Sequence, residues 1–276
     1  MVLVSDQGIV LRHIPLGETS WILSLLGATS GRIRLVARGA RAPRSRLGAC
    51  LQVGNDLDLV FDSRPGRDLG YLREASVRRC LLGSCQDLAA IGAGFAVLEI
   101  LERAIPEGAG EVGLLEDARG ALGSLGEVRG RARALLLLYA FERRLLDRLG
   151  LGPELDSCAD CSRPLLRGGW LDSRAGTLRC RSCGRAGASC HPIDADALDL
   201  LRALGTRPWD RITDSIPEAR TRRAAGLALH RLLGMHLEKY RLPEALRLIQ
   251  KVDISAPRES SPVALVVPAP TEPHTT

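Results

Sequence analysis

Four cysteines carry the sharpest chemistry in the chain. Cys158-Ala-Asp-Cys161 and Cys180-Arg-Ser-Cys183 are two C-x2-C pairs separated by eighteen residues, a spacing at which two tight turns can close around one tetrahedral ion. Each turn presents two thiolates from one short loop, and four soft donors suit a d10 cation such as Zn2+. With every position filled by protein, the ion has no place for water or substrate, so the site reads as one structural zinc. Cys190-His191 follows closely enough to replace one ligand. The competing reading is a pair of disulfides, which a reducing compartment disfavours.

Arginine supplies the second signature. Residues 32–46 contain Arg32, Arg34, Arg38, Arg41, Arg44 and Arg46 and no acid. Alternation along a strand puts Ile33, Leu35 and Ala37 on one face and Arg32, Arg34, Val36 and Arg38 on the other. A solvated face normally mixes signs, whereas a one-sign strip running into a Gly- and Pro-containing loop can track a phosphate backbone. Trp21, Phe61 and Tyr71 are the only aromatics in the first eighty residues. Phosphate contacts should therefore dominate, with little sequence preference.

The strip belongs to a small β domain. Segments 8–14, 20–26, 32–38, 55–61 and 69–75 are short and rich in aliphatic residues, and turn residues at 15–17, 27–31 and 63–66 separate them. Five strands in about eighty residues suit a five-stranded OB-fold barrel, and an SH3-like barrel fits nearly as well. After Cys80 the period becomes helical. Ser84-Cys-Gln-Asp87 resembles a capping box, followed by Leu88, Ile91, Phe95, Leu98 and Leu101 and a stop at Pro106. A weaker Gly-rich segment spans 110–126. A strong helix over 131–149 should face Leu135, Leu138, Phe141, Leu145 and Leu149 inward and Arg143, Arg144 and Arg148 outward. Two further helices are expected at 195–204 and 218–240, with His230 and His236 as packed or surface residues rather than ligands.

The cysteine pairs thus interrupt a helical body. The stretches 168–171 and 173–178 between them read as the two strands of a zinc ribbon. The expected architecture is α+β: an OB-fold DNA-binding domain at 1–79, a helical domain at 80–254 with its zinc module at 155–192, and a disordered tail at 255–276. Within the tail, 263–267 is an apolar run that could dock on a partner.

Composition narrows the function classes. The chain of 276 residues carries 38 Lys and Arg against 32 acids, a net charge of +6 with pI near 9.1. The first 79 residues hold twelve Arg against seven acids, so nearly the whole excess sits there. Lysine occurs only at 239 and 251. The start lacks the basic and apolar pattern of a signal peptide, and no run reaches membrane-span length, so a cytoplasmic protein is expected, with Cys50, Cys80 and Cys85 as small buried hydrophobes. The glycine motifs of P-loop and dinucleotide sites and the deaminase H-x-E motif do not occur. The C-x2-C pairs lie outside any βαβ context, which weighs against a dithiol redox enzyme.

Several motifs together resemble the RecO family of bacterial DNA repair and recombination mediators. They are Gly8-Ile-Val-Leu-Arg12, Gly17-Glu-Thr-Ser20, Gly31, Ala37-Arg-Gly-Ala-Arg41 with Arg44-Ser45, Phe141-Glu-Arg-Arg-Leu-Leu, Gly150-Leu-Gly-Pro-Glu-Leu155 and the two knuckles with Gly168-Gly169 between them. The likeness covers about residues 5–240. It implies an OB fold on a helical domain with a zinc module and no catalytic site. It also implies ATP-independent binding of single- and double-stranded DNA, strand annealing, and help in loading the RecA recombinase. The implied partners are RecR and the C-terminal tail of single-strand-binding protein (SSB), the free chain being a nucleoid-associated monomer. By position, the six arginines of 32–46 become DNA contacts, and Arg143 and Arg144 the basic rim of a groove for the SSB tail. A zinc-ribbon assembly scaffold that does not touch DNA is the alternative.

Overall fold

In the computed structural model, residues 2–63, 69–187, 189–237 and 243–246 are described. Five strands close into a barrel: β1 (Val2–Leu16), β2 (Ser20–Gly27), β3 (Arg32–Ala37), β4 (Asn55–Ser63) and β5 (Leu69–Cys80), in the order β1-β2-β3-β5-β4. β1 is long enough to serve both sides, pairing with β2 through 8–16 and with β4 through 2–9. A parallel pairing of β3 with β5 at Arg34–Val36 shuts the barrel. One short helix, α1 (Arg46–Cys50), lies between β3 and β4, and Ser45 caps it by accepting from the Gly48 amide at 3.1 Å. This order with a helix after the third strand is the OB topology, and it settles the choice against an SH3-like barrel.

Alternation along the strands explains how the barrel attaches to the rest. Val10, Leu23, Leu25, Leu35, Leu57, Leu59 and Phe61 fill its interior. Their neighbours Ile9, Leu11 and Leu26 point the other way and join the core of the helical part. Burying each such side chain contributes on the order of 2 kcal/mol. Two ion pairs reinforce the seam. Arg119 reaches Asp56 at 2.8 Å, and Arg32 reaches Glu102 at 3.3 Å.

The helical part comprises α2 (Leu88–Ala104), α3 (Leu114–Leu125), α4 (Arg131–Arg148), α5 (Ala195–Thr206) and α6 (Ala219–His236). The cap of α2 is Asp87 rather than Ser84, its carboxylate accepting from Ala89 and Ala90 at 2.8 and 3.1 Å. The inward face of α2 keeps the expected Leu98 and Leu101 but differs elsewhere. Ala90, Ala93, Ala96, Val97, Ile100 and Leu101 are buried, whereas Leu88 and Phe95 are exposed. Small residues there let neighbouring helices approach closely. α4 is the central helix, contacted by α2, α3, α5 and α6. Its middle is buried on nearly every side, so Arg143 is only 9% exposed and Arg144 partly covered, whereas Arg148 in the last turn is exposed as expected.

Between α4 and α5 lies a three-stranded sheet of order β7-β6-β8, from β6 (Gly169–Asp172), β7 (Thr177–Arg179) and β8 (Cys190–Ile193). The third strand is a departure from the sequence, in which Cys190-His191 reads only as spare ligands. Gly168 has φ +73°, and a Cβ there would fall 2.3 Å from the Ile193 carbonyl oxygen. Glycine is therefore required where β6 starts beside β8. The tail expected to be disordered, the run 263–267 and the last turn of the helix expected to reach 240 lie outside the described residues. No helix of the described residues is long and apolar enough to cross a membrane.

Candidate nucleic-acid interface and metal centre

The four cysteines converge. The sulfurs of Cys158, Cys161, Cys180 and Cys183 all lie within 4.8 Å of one another, and neither Cys190 nor His191 belongs to the cluster. All four are free thiols, which removes the disulfide reading. Cys161 Sγ and Cys180 Sγ are 3.8 Å apart. A tetrahedron with metal–sulfur bonds of about 2.3 Å has edges of about 3.8 Å, so this donor set fits a four-coordinate ion.

The knuckle amides prepare the thiols for such an ion. Burial raises the pKa of Cys158, but backbone N–H groups of Cys180, Cys161 and Asp160 outweigh it and bring the thiol down to about 6. Cys180 is lowered chiefly by the amides of Cys183 and Ser182. Cys183 is pushed up to about 12 through its hydrogen bonds with the Cys161 and Cys180 sulfurs. Crowded thiols cannot all ionise without a cation, and four thiolates around one cation would satisfy the whole set.

The six arginines of 32–46 do not behave alike. Arg32 is 14% exposed at its side chain, donates to the Ile105 carbonyl at 2.5 Å, and pairs with Glu102. Arg34 faces Glu107 at 3.5 Å. The expected row of three free guanidiniums on β3 is therefore broken, because the outer face of the strand packs against the end of α2 and the segment after it. Arg38, Arg41, Arg44 and Arg46 are exposed and make no ion pair among the described residues.

These four occupy the end of the barrel where β3 runs into the 39–45 loop. Arg38 lies over the Tyr71 ring at 4.6 Å and Arg41 over Trp21 at 5.1 Å. Arg41 also donates to the Gly17 carbonyl in the β1–β2 turn at 2.6 Å. Trp21 is backed by His13, ring centroids 4.1 Å apart. Two cation–aromatic stacks therefore flank β3, holding flexible side chains in place while leaving their charge to solvent. Arg44 has φ 66°, a left-handed conformation that turns the loop toward α1. Sequence reading underrated the aromatics: Phe61 is core, but Trp21 and Tyr71 are partly exposed partners of the strip.

Arg143 and Arg144 do not form an outward basic rim. Arg143 pairs with Asp147 one turn on. Arg144 stacks over Trp209 at 4.0 Å, faces Asp117 at 3.6 Å, and donates to the carbonyls of Leu204 and Arg207. A cleft of about 750 Å3 does adjoin them, lined by Arg143, Asp147, Glu154, Asp199, Arg202 and Arg207 among others, and its lining mixes both signs.

A buried polar cluster escaped the sequence reading. Glu142 of α4 is fully buried, 3.4 Å from His230 Nδ1 of α6. Tyr139 meets the same imidazole edge-on, ring centroids 6.1 Å apart. Burial holds the Glu142 carboxyl well above the usual range and His230 down at about 4. Burial, with the nearby Glu142, pushes Tyr139 up to about 12. Nothing local in the sequence marks Glu142; the packing of α6 against α4 is what buries it.

A closed OB barrel fused to a helical bundle that carries a four-cysteine ribbon defines a two-part α+β protein. Residues 1–81 match the family model "Recombination protein O N terminal" and residues 85–245 "Recombination protein O C terminal". The chain belongs to the RecO family. Among curated relatives, "DNA repair protein RecO" of Frankia casuarinae is 34% identical over 244 residues, covering 87% of this chain and 96% of the relative. The protein of that name from Streptomyces griseus is 34% identical over 257 residues, and that from Streptomyces avermitilis 35% over 257, each covering 91% of this chain and 100% of the relative. This membership supports a role as a recombination mediator in DNA repair.

Proposed function

We propose that the chain binds single- and double-stranded DNA without ATP, anneals complementary strands, and helps load the RecA recombinase, together with RecR, onto DNA coated by single-strand-binding protein. The reading rests on one observation: Arg38, Arg41, Arg44 and Arg46 stand exposed at one end of an OB barrel, with no carboxylate partner among the described residues. Annealing requires the charge of two strands to be offset while their base edges stay free, and a strip of guanidiniums does this without any catalytic residue. Arg34 can join at its margin if Glu107 swings aside; Arg32 takes no part. The ion in the four-cysteine site is zinc and its role is structural. The acidic tail of single-strand-binding protein would enter the helical domain at the 750 Å3 cleft, where Arg207 is the exposed cation. The protein works in the cytoplasm at the nucleoid, as a monomer when free.

The test is affinity for a fluorescent oligonucleotide. Replacing Arg38, Arg41, Arg44 and Arg46 by Ala should weaken it at least about tenfold at low salt. Unchanged affinity in a folded variant would leave the assembly scaffold as the better account.

A further inference from the structure

The other one-sign run of the chain lies on the ribbon. Residues 161–187 contain six arginines, at 163, 167, 174, 179, 181 and 185, against the single acid Asp172. Arg179 is committed inside the fold, to Asp160 at 3.2 Å and Asp172 at 3.5 Å. The other five are exposed, and among the described residues none of their guanidiniums has a carboxylate partner.

Four of the five share one end of the module. Arg181 sits between the ligands Cys180 and Cys183. Arg185 follows Gly184, whose backbone lies so close to Trp170 that a Cβ would fall 2.5 Å from the ring. Arg163 closes the first knuckle, its carbonyl accepting from the Cys158 amide at 2.9 Å. Arg167 precedes Gly168-Gly169, and Gly169 lies against Arg179 and Cys180 of the second knuckle. Arg174 is at the far turn of the β6–β7 hairpin. Four thiolates and one divalent ion would carry a charge of −2, which four guanidiniums more than offset.

The geometry points to this knuckle end, Arg163, Arg167, Arg181 and Arg185, as a second phosphate-backbone contact surface that takes a nucleic-acid strand independently of the barrel strip. The inference rests on the reading of the barrel as a strand-binding site. The two surfaces belong to different parts of the fold. The barrel joins the helical core through β1, α2 and α3, whereas the ribbon packs on α6 through β8 and through Gly176, which faces His236. An acidic peptide with an apolar end needs a pocket as well as cations, and none of the five principal clefts includes any of the four arginines. Exposed cations spread over two knuckles, outside those five clefts, suit a polyanion that is held by its phosphates. A strand on each surface would bring two strands to one molecule, which is what annealing requires.

The experiment uses the metal-loaded full chain, saturated with one short unlabelled oligonucleotide and titrated with a second, labelled oligonucleotide of unrelated sequence. Wild type should take up the second strand. Replacing the four arginines by Ala should weaken that uptake at least about tenfold and lower its salt slope by about 3, at about 0.7 per phosphate contact. Affinity for the first strand should change less than about twofold, and an unchanged metal content of one ion per chain shows that the variant is folded. Arg181→Glu with Arg185→Glu should act in the same direction. Uptake of the second strand unchanged by these substitutions overturns the inference while leaving the barrel reading intact. So does wild type that takes one strand only, or a knuckle end that captures an Asp- and Glu-rich peptide in place of the second strand. Wild type that takes no strand overturns both.

Discussion

Glu102 reaches back from α2 to Arg32 at 3.3 Å, and the same carboxylate accepts from Ser24 of β2. This contact marks where the candidate interface stops. The two arginines of β3, Arg32 and Arg34, face Glu102 and Glu107, and only those past the strand, from Arg38 on, are offered to solvent.

Arg32→Ala should therefore lower stability rather than binding. A partly buried pair with an added backbone hydrogen bond is worth on the order of 2 kcal/mol when one partner is removed. Thermal or urea unfolding should show that loss, while oligonucleotide affinity of the folded fraction stays within about twofold of wild type. A large loss of affinity with normal stability would place Arg32 in the interface after all.

The aromatic stacks make a second, smaller contribution. Trp21→Leu removes the surface on which Arg41 rests but leaves its charge and its bond to Gly17. Affinity should fall by less than about tenfold, corresponding to under about 1.4 kcal/mol, and the salt slope should not change. A changed slope would mean that Trp21 is needed to present the guanidinium to phosphate.

The Glu142–His230 cluster predicts opposing pH dependences. The folded pKa of Glu142 is raised, so its contribution to stability is complete below the unfolded value near 4.5 and is lost as pH rises toward the folded value. His230 is depressed from 6.5 to about 4, so its contribution is present above 6.5 and is lost as pH falls through that window. Glu142→Gln removes the first effect. The variant should be more stable than wild type at pH 7, with the difference vanishing below about pH 4.5. Urea midpoints across pH 4 to 8 give the answer. A variant less stable than wild type at pH 7 would indicate an ionised Glu–His pair instead.

Metal removal should reach beyond the ribbon. Cys158, Leu165, Leu171, Leu178 and Ile193 belong to the same buried cluster as α2, α4 and α6. A strong chelator, or Cys158→Ser, should therefore abolish metal binding and amide protection over 158–193. It should also lower the melting temperature of the helical domain by several degrees. Loss of protection confined to 158–193, with the helical transition unchanged, would show that the ribbon folds as an independent appendage.

Much of this was legible in the chain because the signals are local. The cysteine spacing picked out the four sulfurs that converge, and turn residues between aliphatic runs marked five strands. The rest depends on contacts distant in sequence. Alternation placed Arg32 and Arg34 on one face of β3 but could not show that Glu102 and Glu107, some seventy residues later, cover that face. Helical periodicity marked α4, yet a helix contacted by four others buries its polar side as well, so Arg143 and Arg144 were misplaced outward. β8 went unrecognised because Cys190-His-Pro-Ile has no alternation and pairs only with β6.

The account turns on Arg38, Arg41, Arg44 and Arg46 gripping phosphates. The most direct measurement is the salt dependence of single-strand affinity for wild type against the variant with all four replaced by Ala. At about 0.7 per phosphate contact, the slope of log K against log salt should be shallower in the variant by about 3. Equal slopes in two folded proteins would contradict it.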